Sequence, residues 1–292
     1  MNINTIIKTS KLLRRSCLVS ACALFASVSL SSTARAQNVL PLPTIHYAPA
    51  APGHTITNQG SGKGLSGKNY PLYLRKNTAA HMSNCATADL VLDEGTGPFQ
   101  RGRAIDFSAN EANGGKVTSL ASIPRADFGG LDSCTFTLWY KFSSPLIKGA
   151  YTTLIRSSCV ELVFVGDELR VLTHGTTKQT GLPNRMNAPR NPVLSRENEW
   201  VFVAITWDGA TGTTALYCGN EAARASVLKS AKLADQGKSE KGTVVNFGYH
   251  NLTDGGTRSF DGQMADIRFY TTALTSSQIE AVRTSAGEQN KK

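Results

Sequence analysis

The run Trp200 to Trp207, inside 199–220 (E-W-V-F-V-A-I-T-W-D-G-A-T-G-T-T-A-L-Y-C-G-N), limits this chain to few architectures. It carries no charge and consists mainly of strand-favouring residues. Val201, Val203, Ile205 and Trp207 share one face of such a strand, and Trp200, Phe202, Ala204 and Thr206 share the other. Both faces are apolar, so the strand must be covered on both sides or lie in a groove. Asp208-Gly-Ala-Thr-Gly212 supplies a turn, because glycine reaches the positive φ that a tight reversal needs. Thr213 to Cys218 then resumes the extended run. A hairpin of this kind needs other sheets around it, and the expected fold is a β-sandwich.

A second strong strand is expected at 135–142. Phe136, Leu138, Tyr140 and Phe142 lie on one face, and Thr135, Thr137, Trp139 and Lys141 on the other. Shorter strands are expected at 44–47, 70–75, 104–107, 116–120, 152–156, 160–165, 169–173, 244–249 and 263–270. Two cationic stretches read as loops: 175–198, with Lys178, Arg185, Arg190 and Arg196, and the Lys-bearing 229–241. One helix is signalled. Thr275 is its N-cap, Gln278 completes a capping box, and Leu274 and Ile279 are placed for a hydrophobic staple.

Lys8, Lys11, Arg14 and Arg15 precede an apolar stretch from Cys17 to Leu30, and Thr33-Ala-Arg-Ala36 offers small residues before Gln37. This is the pattern of a secretory signal peptide cut between Ala36 and Gln37, and it places the mature chain in the periplasm or outside the cell. The apolar stretch is shorter than the ~20 residues of a membrane span. Lipoprotein processing at Cys22 is the weaker variant, and no later segment reads as transmembrane. Without 1–36 the chain keeps 26 Lys+Arg against 21 Asp+Glu, a net +5 in place of +10. That mild basicity suits an anionic surface polymer and does not indicate nucleic acid. The expected organisation is signal peptide 1–36, lead 37–43, one β domain 44–285 and a disordered tail 286–292. Four cysteines remain in this exported chain, Cys85, Cys134, Cys159 and Cys218, and two disulfides are expected among three pairings. Cys134 and Cys159 begin strands and Cys218 ends one, which favours Cys159–Cys218 with Cys85–Cys134.

Five stretches together resemble the laminin-G-like jelly-roll domains of the concanavalin A-like lectin/glucanase superfamily. They are Thr57-Asn-Gln-Gly-Ser-Gly-Lys-Gly64, Ala104-Ile-Asp-Phe-Ser108, Phe136-Thr-Leu-Trp-Tyr140, Glu199 to Gly209, and Gly262-Gln-Met-Ala-Asp-Ile-Arg-Phe-Tyr270 followed by Thr-Thr-Ala-Leu274. The resemblance covers about residues 44–285. It implies an all-β, two-sheet antiparallel jelly-roll sandwich with one short C-terminal helix. It also implies a structural calcium held by a last-strand carboxylate and loop carbonyls. The family's acid falls at Ala265 here and its neighbour is Asp266, so Asp266 is the candidate ligand. No other cofactor is expected.

Glucanases of that superfamily carry Glu-x-Asp-x-x-Glu on a strand, and this spacing is absent. Glu161, Glu168, Asp167 and Asp208 read as single solvated charges, and the five histidines show neither metal nor triad spacing. Gly62-Lys-Gly-Leu-Ser-Gly-Lys-Asn69 nearly spells a phosphate loop, but Asn69 replaces the Ser/Thr and Pro71 follows where a helix should start. These readings exclude familiar catalytic constellations and point to a non-catalytic binding module, with a glycan at or outside the cell envelope as ligand. The candidate binding residues are Trp139, Trp200 and Phe202, which would line a groove if their face is open and are core if 175–198 covers them. The alternatives are an adhesion or structural envelope protein that binds another protein through the basic loop, and a polysaccharide-cleaving enzyme with a divergent site.

Overall fold

The apolar hairpin lies inside a sheet, as its two buried faces require. The structure is a computed structural model. It describes residues 40–62, 65, 69–77, 85–110, 119–124, 128–242, 244–250 and 258–287, with Asn77 and Cys85 described by backbone alone. The expectations for the signal peptide, the C-terminal tail and most of the phosphate-loop-like stretch lie outside these residues.

In chain order the first strands are β1 (Ile45–Tyr47), β2 (Thr55–Ile56), β3 (Leu72–Asn77), β4 (Cys85–Thr87), β5 (Ile105–Asp106) and β6 (Ser119–Pro124). Next come β7 (Ser133–Phe142), β8 (Tyr151–Arg156), β9 (Val160–Val165), β10 (Glu168–Thr173), β11 (Gly175–Lys178) and β12 (Arg185–Asn187). Then follow β13 (Val201–Asp208), β14 (Thr213–Asn220), β15 (Ser226–Lys232), β16 (Asp235–Ser239), β17 (Val244–Phe247), β18 (Gly262–Tyr270) and the helix α1 (Ser276–Ser285). One sheet runs β1-β18-β7-β13-β14-β15, with β5 also on β18. The other runs β12-β10-β9-β8-β17-β6-β3-β2, with β4 also on β3. All these pairs are antiparallel, and β11 and β16 form a separate ribbon.

The inner faces of the two sheets form the main core. Phe136, Leu138 and Tyr140 on β7 and Val203 and Ile205 on β13 meet Leu162 and Phe164 on β9 and Val245 and Phe247 on β17. The outer face of the first sheet is covered as well. Trp139, Phe202 and Ala204 pack beneath Ile279 and Val282 of α1 and beside Phe99. The capping box on α1 forms as its sequence predicts: Thr275 accepts from the Gln278 backbone, and the Gln278 side chain accepts from the Thr275 N–H.

Neither cationic stretch is a simple loop. The 229–241 region holds most of β15 and all of β16. The segment 175–198 holds β11, β12 and a 3-10 turn at Pro192–Ser195, where Leu194 is buried. β15 escapes a pattern search because Ser-Val-Leu-Lys-Ser-Ala-Lys buries none of its side chains fully. It is an edge strand, and its lysines suit a position where further pairing must be discouraged. Deleting 175–198 would therefore remove an edge strand and the Leu194 carbonyl that accepts from Tyr140 Oη at 2.6 Å, so it cannot serve as a neutral deletion.

The expected cysteine pairing is corrected. Cys134, Cys159 and Cys218 are all buried thiols. The Cys159 thiol donates to the Phe128 carbonyl at 3.5 Å and lies close enough to Cys134 to perturb it electrostatically, which brings β7 near the turn before β9. Cys134 stands opposite Trp207 on β13, whereas Cys218 is registered with Val203, four residues further along β13. At ~3.3 Å per residue that offset is about 13 Å. A disulfide needs Cα atoms within ~7 Å, so Cys159 cannot face both partners. The side chain of Cys85 lies outside the described residues. Burial first, then Cys159, holds the Cys134 thiol well above the ordinary range, which starves a folded chain of thiolate. Oxidation is therefore expected during folding. Peptide mapping of unreduced protein folded under oxidising conditions should give a Cys134–Cys159 crosslink; a Cys159–Cys218 peptide would contradict the register.

Candidate ligand-binding site

The outer face of the larger sheet carries a polar row, because side chains alternate across each strand. Leu74, Ile123, Val245, Ile155 and Leu162 enter the core. Their neighbours face outward. Strand register aligns those neighbours into one line: Tyr73 on β3, Ser122 on β6, Asn246 on β17, Arg156 on β8, Glu161 on β9, Leu172 on β10 and Arg185 on β12.

Above this row lies a cavity of ≈ 590 Å³ lined by Ser122, Asn246 and Arg156, by Arg75 from β3, and by Ser158 and His174. That volume suits a small-molecule site. Glu240 and Lys241 come from the segment after β16, and Gly242 lets that segment approach: a Cβ there would sit 2.5 Å from Ser158 Cβ.

The floor is held by a buried polar cluster. Arg156 Nη1 donates to the His250 carbonyl at 3.2 Å and lies 3.2 Å from His250 Nδ1. Arginine can only donate, so Nδ1 accepts and the neutral ring carries its proton on Nε2. Nε2 lies 3.5 Å from Glu161 Oε1. Asn246 Nδ2 donates to the same His250 carbonyl at 2.9 Å. Burial pushes the Glu161 carboxyl up, against the opposing charges of Arg156 and Arg258. Burial likewise pushes the His174 imidazole down, against Glu240 and Asp235.

Two polar atoms here have no hydrogen-bond partner among the described residues, Asn246 Oδ1 and Ser158 Oγ. Asn246 is only 6% exposed, so an unmet acceptor at this depth costs about 1–3 kcal/mol unless water or a ligand meets it. The site thus presents a buried acceptor, hydroxyls and two guanidinium groups in one concavity.

The sequence-expected sites fall elsewhere. Trp139, Trp200 and Phe202 are 0%, 7% and 0% exposed. They come together as expected: Trp139 and Phe202 rings are 5.3 Å apart, and Phe99 meets Trp139 edge-on at 5.3 Å. Their cover is α1 and the segment around Phe99, not 175–198, so they are core and line no groove. Asp266 is not a calcium ligand here. Its carboxylate accepts two bonds from Arg268, each 2.9 Å, and lies 2.7 Å from His46 Nε2. A guanidinium already occupies the position a cation would need, and the described residues hold no cluster of three metal-ligating side chains. Glu161 is 6% exposed and is not a solvated charge. The cations of 175–198 are largely engaged: Lys178 with Asp235, Arg190 with Asp167 and Arg196 with Glu199.

Arg75, Ser122, Arg156 and Asn246 carry no site pattern in the sequence, and His174 and His250 enter it only as two of five histidines without metal or triad spacing. Each occupies an outward strand position or a connection, and only the register across four strands, β3, β6, β17 and β8, brings them together. An arginine closing an apolar strand, as at Arg156, is the one local signal.

A family model described as the concanavalin A-like lectin/glucanases superfamily matches residues 113–280. Among solved structures, the binding domain of botulinum neurotoxin DC in complex with rat synaptotagmin II matches with TM-score 0.53 and 13% identity, over 83% of this chain and 51% of that one. The botulinum neurotoxin serotype D ligand binding domain in complex with N-acetylneuraminic acid matches with TM-score 0.52 and 13% identity, over 85% and 51%. The chain spans about half the length of the solved structures it matches. No curated protein matches it.

Proposed function

This chain belongs to the concanavalin A-like lectin/glucanase superfamily, and we propose that it is an exported, non-catalytic module that binds carbohydrate at or outside the cell envelope. The observation that carries this reading is the cavity over the polar row, with Asn246 Oδ1 at its floor unpartnered among the described residues. Sugar hydroxyls both donate and accept, and so match a site that offers an amide acceptor, serine hydroxyls and guanidinium donors. The leader-like residues 1–36 support export. The two neurotoxin binding domains, one solved with a sugar acid and one with a protein, support binding as a use of this fold.

The lack of paired carboxylates supports the non-catalytic part. Glycoside hydrolysis ordinarily needs two carboxyl groups across the scissile bond. Among the described residues the cavity is lined by one, Glu240. Turnover of a polysaccharide that disappears in Glu240→Gln would establish the enzymatic alternative instead.

Titration of the mature chain against oligosaccharide panels tests the reading. Saturable binding is expected, with Asn246→Ala weakening it roughly fivefold through the lost acceptor. A panel with no binder at millimolar sugar would sink it.

A further inference from the structure

The charge around the cavity is unbalanced. Arg75, Arg156 and Lys241 line it, against Glu240 as the one lining carboxylate among the described residues. The described ion pairs include none of these three cations. Arg75 rests over the Tyr73 ring at 5.7 Å, which orients the guanidinium without neutralising it. Arg156 spends Nη1 on His250 and is partly opposed by Glu161 across the strand pair, but it makes no ion pair with a carboxylate among the described residues.

Their placement is also specific. β3 and β8 are separated by β6 and β17. At ~4.8 Å per strand and ~3.3 Å per residue, with Arg75 two residues along β3 from the Tyr73–Arg156 row, the two arginine backbones stand about 16 Å apart, on opposite sides of the Asn246 floor. Guanidinium forks recognise planar or tetrahedral oxyanions with paired hydrogen bonds.

We propose that the ligand is an acidic saccharide, whose carboxylate or sulfate oxygens are held by Arg75 and Arg156 while Asn246 Oδ1 and Ser158 Oγ meet its hydroxyls. This rests on the carbohydrate-binding reading and names the ligand's chemical class. Lys241, on the rim, adds attraction that salt screens.

The test compares three oligosaccharides of equal length by calorimetric titration: neutral, uronic-acid-bearing and sulfate-bearing. At least one acidic arm should bind about tenfold or more tighter than the neutral one, and the tighter arm identifies the acidic group. Arg75→Gln should bring acidic and neutral affinities together, and raised salt should do so in part. If Arg75→Gln lowers the Tm, Lys241→Gln on the rim repeats the test with a smaller loss. Equal affinity for neutral and acidic sugars would overturn the inference and leave the carbohydrate reading standing. Failure of all three arms would overturn both.

Discussion

Asp266→Ala is expected to destabilise the fold by about 3–5 kcal/mol, seen as a lower denaturation midpoint at pH 7. Arg268 is 2% exposed, and Asp266 is its carboxylate partner, through two bonds of 2.9 Å. Removing the carboxylate strands a charge that cannot lose its proton. The backbone contributes too. Asp266 has φ 48, and the β18–β7 register shifts between Ala265 and Arg268. This bulge also corrects the simple alternation of the strand: Ala265 packs on the outer cluster, whereas Ile267 and Phe269 enter the core. Asparagine tolerates the left-handed region and keeps an acceptor, so Asp266→Asn should cost less than Asp266→Ala. The double variant Asp266→Ala/Arg268→Met should recover part of the loss. A double variant as unstable as Asp266→Ala alone would show that the stranded charge is not the cause.

The same carboxylate makes stability fall in acid. Burial pushes it up, but Arg268 and His46 outweigh burial and hold it at about 2, below the ordinary 3.8. Its stabilisation is therefore fully present above about pH 4 and is lost as pH falls through 2. The difference corresponds to about 2 kcal/mol. Denaturant midpoints at pH 5 and pH 2 should differ less in Asp266→Asn than in the wild type. An unchanged difference would assign the acid sensitivity to other groups.

Elements are legible in the sequence where the signal is local and continuous. β13 and β14 were legible because every position from Trp200 to Trp207 agrees with a strand buried on both faces, and α1 because cap, box and staple coincide. β16 was not legible, since Asp235-Gln-Gly-Lys-Ser239 carries no strand pattern and pairs only because β11 lies beside it. The aromatic strip shows how a correct periodicity can carry a wrong function. Trp139, Trp200 and Phe202 do share a face, but their cover is a helix more than seventy residues later in the chain. A signal for that cover was present, because a helix with Ile279 and Val282 on one face must bury that face somewhere. The cavity left no comparable trace: its row draws single residues from strands between Tyr73 and Asn246, and no window of sequence holds two members that look like a site.

Removing α1 by truncation after Ala273 should cost more than any single substitution on the strip it covers. Leu274, Ile279 and Val282 are all buried, and each full burial contributes about 1.5–3 kcal/mol. The helix also carries anchors that hydrophobic area does not count. Glu280 accepts from the Ala225 N–H at 2.8 Å, and Arg283 donates to the Asn220 carbonyl at 2.7 Å, fastening α1 to the turn between β14 and β15. Without it, Trp139, Phe202 and Tyr217 would form a contiguous apolar patch on the first sheet, and such patches drive association. The truncated chain is expected to bind a hydrophobic dye and to elute as aggregates. The milder Ile279→Ala should lose about 2–4 kcal/mol and stay monomeric. Because the cavity belongs to the other sheet, folded Ile279→Ala should retain saccharide affinity while its midpoint drops. Saccharide binding that tracked the loss of the helix, or a truncated chain that gained affinity, would return the binding site to the aromatic strip.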